Sequence, residues 1–224
     1  MDRAVTEADE AAGDARLARG VEAMTTMAFP TPITLHEWPE SAALNARLRE
    51  IVLGMERESA GVARSNVGGW HSGTGLLRRD DPAIGRLVTR IKTITRAMTA
   101  VMMKAPNPRM SLEGWANVLR AGQYNGVHVH PNSTWSGVYY VTGNPKPEDG
   151  AGDPAYSGRI EFLDPRPGAA ASYTVESVMQ RRCLIDPPAG AMVVFPSWLP
   201  HQVHPYFGPG ERISIAFNML LVRA

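Results

Sequence analysis

Apolar residues recur at helical spacing in the first half of the chain and in short alternating runs in the second. A strand-like stretch, Pro32-Ile33-Thr34-Leu35-His36-Glu37-Trp38, comes first. Ser41 then reads as the cap of a predicted helix whose apolar positions Leu44, Leu48, Ile51, Val52 and Met55 lie three and four apart. A stronger helix opens at Asp80-Asp81-Pro82, with acids near its N-terminus and proline in its first turn. Its stripe runs through Ile84, Leu87, Val88, Ile91, Ile94, Met98, Val101 and Met102, and Arg86, Arg90, Lys92 and Arg96 read as its solvated face. Ala105-Pro106-Asn107-Pro108 ends it. Residues 60–80, with Gly68-Gly69-Trp70-His71-Ser72-Gly73, read as loop or irregular edge strand.

From about residue 110 the segments shorten and are broken by Gly, Pro, Asn and Asp. The pattern predicts strands at 112–120, 123–130, 135–142, 158–163, 172–176, 182–186, 191–196, 201–206 and 211–222. Helices first and strands afterwards mean an α+β, mainly β fold, with a β core and N-terminal helices packed on one face. Residues 1–27, rich in Ala, Asp, Glu and Arg, read as a flexible arm. Residues 28–224 read as one domain with helical decoration at about 41–104.

Composition narrows this picture. Of 224 residues 44% are hydrophobic, enough for a sizeable core, and 18 prolines and 21 glycines supply the turns of a short-stranded fold. The net charge of +1, without a basic block, speaks against nucleic acid. The single cysteine, Cys183, rules out an internal disulfide and fits a reducing cytoplasm. No apolar run is long enough for a membrane span, and the N-terminus is unlike a signal peptide. The expected setting is cytoplasmic, with no membrane partner.

Six histidines remain, and four of them fall in two short clusters. In Tyr124-Asn125-Gly126-Val127-His128-Val129-His130-Pro131, the residues His128 and His130 are two apart and so share one strand face, where imidazoles can chelate one ion. Pro131 ends that strand at a sheet rim. An HxH pair alone arises easily by chance; the second cluster strengthens it. There an apolar strand runs through Phe195-Pro196-Ser197-Trp198-Leu199-Pro200 into His201-Gln202-Val203-His204. His201 is the ligand candidate. His204, at odd spacing, is a rim residue or a partner behind the ligands. Further on, Arg212, Ser214, Ala216 and Asn218 share one strand face opposite Ile213, Ile215, Phe217 and Met219. Arg212 with Ser214 is either a solvated edge or a carboxylate clamp aimed into the fold.

The lines His128-x-His130-Pro131-x-Ser133-x-x-Ser136-Gly137-Val138-Tyr139-Tyr140-Val141, Gly158-Arg159-Ile160-Glu161-Phe162-Leu163-Asp164-Pro165-Arg166 and Phe195-Pro196-Ser197-x-Leu199-x-His201-x-Val203-x-Pro205, with Arg212-x-Ser214, resemble 2-oxoglutarate/Fe(II)-dependent oxygenases of the jelly-roll superfamily. The resemblance covers roughly residues 110–222 and implies a double-stranded β-helix (jelly roll), with Fe(II), 2-oxoglutarate and O2. It implies iron ligands at His128 and His201, with His130 added as the third from its shared strand face, and a clamp for the distal carboxylate of 2-oxoglutarate at Arg212 and Ser214, with Asn117 and Tyr124 as helpers. The sequence departs from the superfamily at His130, where Asp or Glu usually stands. Either His130 binds, or a carboxylate such as Glu161 or Asp164 does, or water.

Two other readings stand beside this one. A three-histidine cupin-type dioxygenase would use the same histidines without 2-oxoglutarate. A non-catalytic jelly-roll module would need none of them as ligands. The expected partners are a small metabolite or amino-acid-like substrate and a second copy of the chain in a homodimer. Trp135, Trp198 and Arg166, with Trp70 and His71, are candidates for the mouth of the site, each with ordinary packing or surface as the competing reading.

Overall fold

The computed structural model describes residues 29–103, 109–147, 152–168 and 182–222. The predicted arm at 1–27 and the predicted strand at 172–176 lie outside them. Pro32–Ala224 forms one unit. Its strands are β1 (Thr34–Glu37), β2 (Asn66–Val67), β3 (Trp70–His71), β4 (Arg109–Leu119), β5 (Tyr124–His128), β6 (Trp135–Tyr140), β7 (Ile160–Leu163), β8 (Arg182–Ile185), β9 (Ala191–Pro196), β10 (His201–Val203) and β11 (Arg212–Val222). Its helices are α1 (Ala42–Glu58) and α2 (Pro82–Met103), with a 3-10 turn at Leu76–Arg78 between them.

The strands form two antiparallel sheets, in the orders β1-β9-β6-β11-β4-β3 and β2-β5-β10-β7-β8. This is the expected jelly roll. In the larger sheet β11 pairs β4 along its whole length, from Arg212 opposite Leu119 to Val222 opposite Arg109, and pairs β6 on its other side. That central position buries both of its faces, which explains the sequence pattern. Ile213, Ile215, Phe217 and Met219 pack with Ala116, Val118, Met192 and Val194 against Leu48, Val52, Ile84, Leu87 and Ile91 of the helices. Each such side chain, fully removed from water, contributes about 1.5–3 kcal/mol. The alternate residues, Arg212, Ser214, Ala216 and Asn218, face inward, towards the smaller sheet.

The helix reading needs three corrections, the first at Val101 and Met102, which close the predicted apolar stripe but are exposed. Asp81 does cap α2, its Oδ1 accepting from the Ala83 N–H at 2.8 Å. Ser41 caps nothing: its hydroxyl donates to the Trp38 carbonyl and accepts from Arg90. Arg90 in turn does not belong to a solvated face. It sits three residues after Leu87 and one before Ile91, inside the apolar arc, and only 8% of it is exposed. Its guanidinium donates to Ser41 Oγ and the Tyr139 hydroxyl and lies 4.6 Å above the Trp38 ring.

The stretch at 60–80, read as loop or irregular edge strand, supplies one edge strand to each sheet and so stitches the two together. β2 adds to β5 in the smaller sheet and β3 to β4 in the larger. Gly68, at φ +73°, turns the chain between them, a conformation that glycine adopts without steric cost. The crossing carries Ser65 and His71 to the space between the sheets.

Candidate metal centre and cosubstrate cavity

Between the sheets lies a cavity of about 470 Å3. His128, His130 and His201 line it, with ligand nitrogens all within 4.8 Å of one another. His128 and His201 end up together because β5 and β10 pair with these two residues directly opposite, ring centroids 4.3 Å apart. Each is oriented by a backbone carbonyl two residues back: His128 Nδ1 on Gly126 O at 2.7 Å, His201 Nδ1 on Leu199 O at 2.9 Å. A carbonyl accepts and does not donate, so both rings carry Nδ1–H and leave the Nε2 lone pair for an ion. His130 follows the end of β5, its N–H donating to Ser197 O at 2.9 Å. Its ring packs 5.6 Å from Trp115 and 5.1 Å from His201, with no hydrogen bond to the ring among the described residues.

Burial, first of all, and the neighbouring imidazoles push the pKa of His201 down to about 3 and that of His130 to about 4. Burial also lowers His128. Three neutral imidazoles around one point suit a borderline divalent ion such as Fe(II). The carboxylates weighed as replacements for His130 are engaged elsewhere. Glu161 accepts from Gln202 and His204 at 2.7 Å each, and Asp164 pairs with Arg166. His204 is therefore a partner of Glu161, not of the ligand histidines. His201 itself packs between Phe162 and Phe195.

Deeper in the cavity three buried polar atoms have no partner: Arg212 Nε, the Tyr140 hydroxyl and Asn117 Oδ1. Arg212 is only 2% exposed, forms no ion pair among the described residues, and has its guanidinium 5.2 Å from the Tyr140 ring centre. Burial lowers the pKa of Arg212 and raises that of Tyr140 to about 12. Asn117, Ser214 and Tyr140 stand side by side across β4, β11 and β6. Arg212 Nε–H and the Tyr140 O–H are buried donors suited to an anion that accepts several hydrogen bonds, while Asn117 Oδ1 is an acceptor beside them.

Other expectations change. Tyr124 does not line the cavity; Asn125 does. Strand parity puts Tyr124 with His128, but the β5–β10 register slips, with His201 opposite His128 and Val203 opposite Asn125. The extra residue on β5 is a bulge, and it turns Asn125 to the ligand face. No residue type announces such a bulge, although Gly126 permits it. Trp135 points the other way, buried among the helices with its indole N–H on Thr99 Oγ1 at 2.9 Å. Trp198 is half exposed and Arg166 lies on the surface; neither lines the cavity, nor does Trp70. His71 does, stacked 5.5 Å from Trp115 with its Nδ1 on Ser72 O. Tyr140 was visible only as part of the Gly137-Val138-Tyr139-Tyr140 line, and alternation alone separates it from Tyr139, which faces the helices.

Residues 113–218 match the family model described as "Putative 2OG-Fe(II) oxygenase". The matched segment is 106 of the 224 residues, a little under half of the chain, and it is similar to that family. The segment holds the histidine cluster and Arg212, and the family it resembles is described by its use of Fe(II) and 2-oxoglutarate. No curated protein sequence matches the chain. Among solved structures, a Pseudomonas putida prolyl-4-hydroxylase is similar at 17% identity and a TM-score of 0.59, over 92% of this chain and 99% of that one. The α-ketoglutarate-dependent epimerase SnoN from nogalamycin biosynthesis is similar at 13% identity and a TM-score of 0.62, over 94% and 81%. HygX from Streptomyces hygroscopicus, solved with nickel and 2-oxoglutarate, is similar at 12% identity and a TM-score of 0.57, over 86% and 84%. These likenesses establish a shared fold.

Proposed function

We propose that this oxygenase holds Fe(II) with His128, His130 and His201 and hydroxylates a small metabolite or amino-acid-like substrate, with release of succinate and CO2. The observation that carries the 2-oxoglutarate half is Arg212, buried and without an acidic partner among the described residues at one end of the cavity that holds the histidines. A cupin-type dioxygenase needs no clamp for 2-oxoglutarate, and there the guanidinium would have to pair with an anionic group of the substrate itself.

Bound Fe(II), with 2-oxoglutarate and O2, supplies the oxidising chemistry. The chain's own part is binding and orientation. The guanidinium of Arg212 and the hydroxyls of Tyr140 and Ser214 donate to the distal carboxylate of 2-oxoglutarate. Asn117 and Asn125 border its path towards the histidines. The Gly126 and Leu199 carbonyls hold two imidazoles in the metal-binding tautomer. Phe162 and Phe195 keep water away from His201. An imidazole at position 130 leaves the protein ligands without charge, so the dianionic cosubstrate is the principal counter-charge to the metal. No helix among the described residues is long and apolar enough to cross a membrane. With the single cysteine, this supports the cytoplasmic setting proposed here.

The test is conversion of 2-oxoglutarate to succinate with and without Fe(II), alongside 2-oxoglutarate binding to the metal-loaded protein. Iron-dependent succinate, or iron-dependent binding where substrate is lacking, supports the reading. Metal-dependent O2 uptake without 2-oxoglutarate binding replaces it with the cupin reading.

A further inference from the structure

The inward-facing residues of β4 and β11 lay the cavity out in rows: Leu119 with Arg212, Asn117 with Ser214, Trp115 with Ala216, Glu113 with Asn218. Successive rows are about 6.8 Å apart along the strands. The Trp115 row lies at the level of the histidines, since its ring is 5.6 Å from that of His130. Arg212 thus marks one end of the cavity, and Glu113 lies beyond the histidines on the other side.

Glu113 is held there by a relay across three strands. Ser136 Oγ donates to Asn218 Oδ1 at 2.8 Å, and Asn218 Nδ2 donates to Glu113 Oε1 at 3.1 Å. Ser136 and Asn218 are buried, at 1% and 8% exposure, while Glu113 is exposed at the cavity wall. The oxygen of Asn218 accepts from serine, which turns its amide N–H towards the carboxylate. Glu113 forms no ion pair among the described residues. A carboxylate fixed in a ligand cavity, with lone pairs to spare, accepts from a cationic N–H donor. Arg212 at one end of the cavity is matched in charge to an anion, and Glu113 at this end to a cation.

We infer that Glu113, positioned by Asn218 and Ser136, is a substrate-recognition residue for a cationic amino or guanidino group. The inference rests on the oxygenase reading above and deepens it: the substrate carries a protonated nitrogen that docks beyond the iron, away from 2-oxoglutarate. Asn218 and Ser136 are positioning residues acting through Glu113.

The test is calorimetric binding to the full chain loaded with Zn(II) and 2-oxoglutarate, so that no turnover is needed. The cationic probes are L-lysine, agmatine and spermidine; the controls are 1,6-hexanediol and 6-hydroxyhexanoate. At least one cationic probe is expected to bind while the controls do not. Glu113→Gln should weaken that probe at least tenfold, Glu113→Asp should restore part of the loss, and Asn218→Ala should fall between. 2-Oxoglutarate binding should be the same in all of these variants. Binding of 2-oxoglutarate without any cationic probe, or a Glu113→Gln protein that binds the probe as the wild type does, overturns the inference and leaves the oxygenase reading standing. Loss of 2-oxoglutarate binding in the wild type overturns both.

Discussion

His128 and His201 are direct cross-strand partners on β5 and β10, with ring centroids 4.3 Å apart and each Nδ1 tied to a carbonyl of its own strand approach. Two imidazoles so paired are oriented before any ion arrives. His130 sits on the segment leaving the strand, its ring held by packing alone among the described residues.

The three histidines should therefore contribute unequally. His128→Ala and His201→Ala are each expected to weaken Fe(II) or Zn(II) binding by roughly 100-fold or more. His130→Ala should cost less, and His130→Asp should retain the metal through the two-histidine, one-carboxylate arrangement. Metal titration of the four variants checks this; an ordering with His130 foremost would contradict it.

The histidines also predict how stability varies with pH without metal. Their folded pKa values lie below the ordinary 6.5, at about 4 for His130 and about 3 for His201, so the folded state refuses protons that the unfolded chain accepts. Stability from keeping them neutral is complete above the unfolded pKa and is lost as pH falls below it towards the folded values. The metal-free protein should lose thermal stability from pH 6.5 down towards 4, and His201→Gln should flatten that slope. An identical slope in the variant would contradict the assignment.

Trp135 is expected to matter for folding and not for chemistry. Trp135→Phe removes the bond to Thr99 and should cost about 1 kcal/mol of unfolding free energy, measured by denaturant titration. Metal and 2-oxoglutarate binding should not change.

Arg90 is a structural cation. Arg90→Ala leaves the Ser41 and Tyr139 hydroxyls without their donor and opens space beside Trp38, for a loss of roughly 2–4 kcal/mol. A surface arginine would cost within about 0.5 kcal/mol, so the same denaturant titration separates the two placements.

The sequence reading succeeded where periodicity controls the outcome. Alternation on β11 separates Arg212 and Ser214 from the helix-facing apolar residues, because a central strand buries both faces. The histidine cluster is legible because histidines two apart share a strand face and a distant third lies at a strand start. It failed where tertiary packing overrides the period. The bulge that exchanges Tyr124 for Asn125 depends on the pairing with β10. Trp135 opens the predicted strand 135–142 and reads as a candidate for the mouth of the site, yet β6 turns it to the helices. Arg90 has the chemistry of a solvated face and the position of a buried one. The Asn218–Glu113 bond joins residues 105 apart in sequence and has no local signal.

The most direct test of the central claim is an anaerobic calorimetric titration of 2-oxoglutarate into the Fe(II)-loaded protein, beside the metal-free protein and Arg212→Ala. The account predicts saturable, metal-dependent binding to the wild type. It also predicts affinity lower by roughly 30-fold or more in Arg212→Ala, with iron content unchanged. Binding that ignores the metal, or that Arg212→Ala leaves intact, would contradict it.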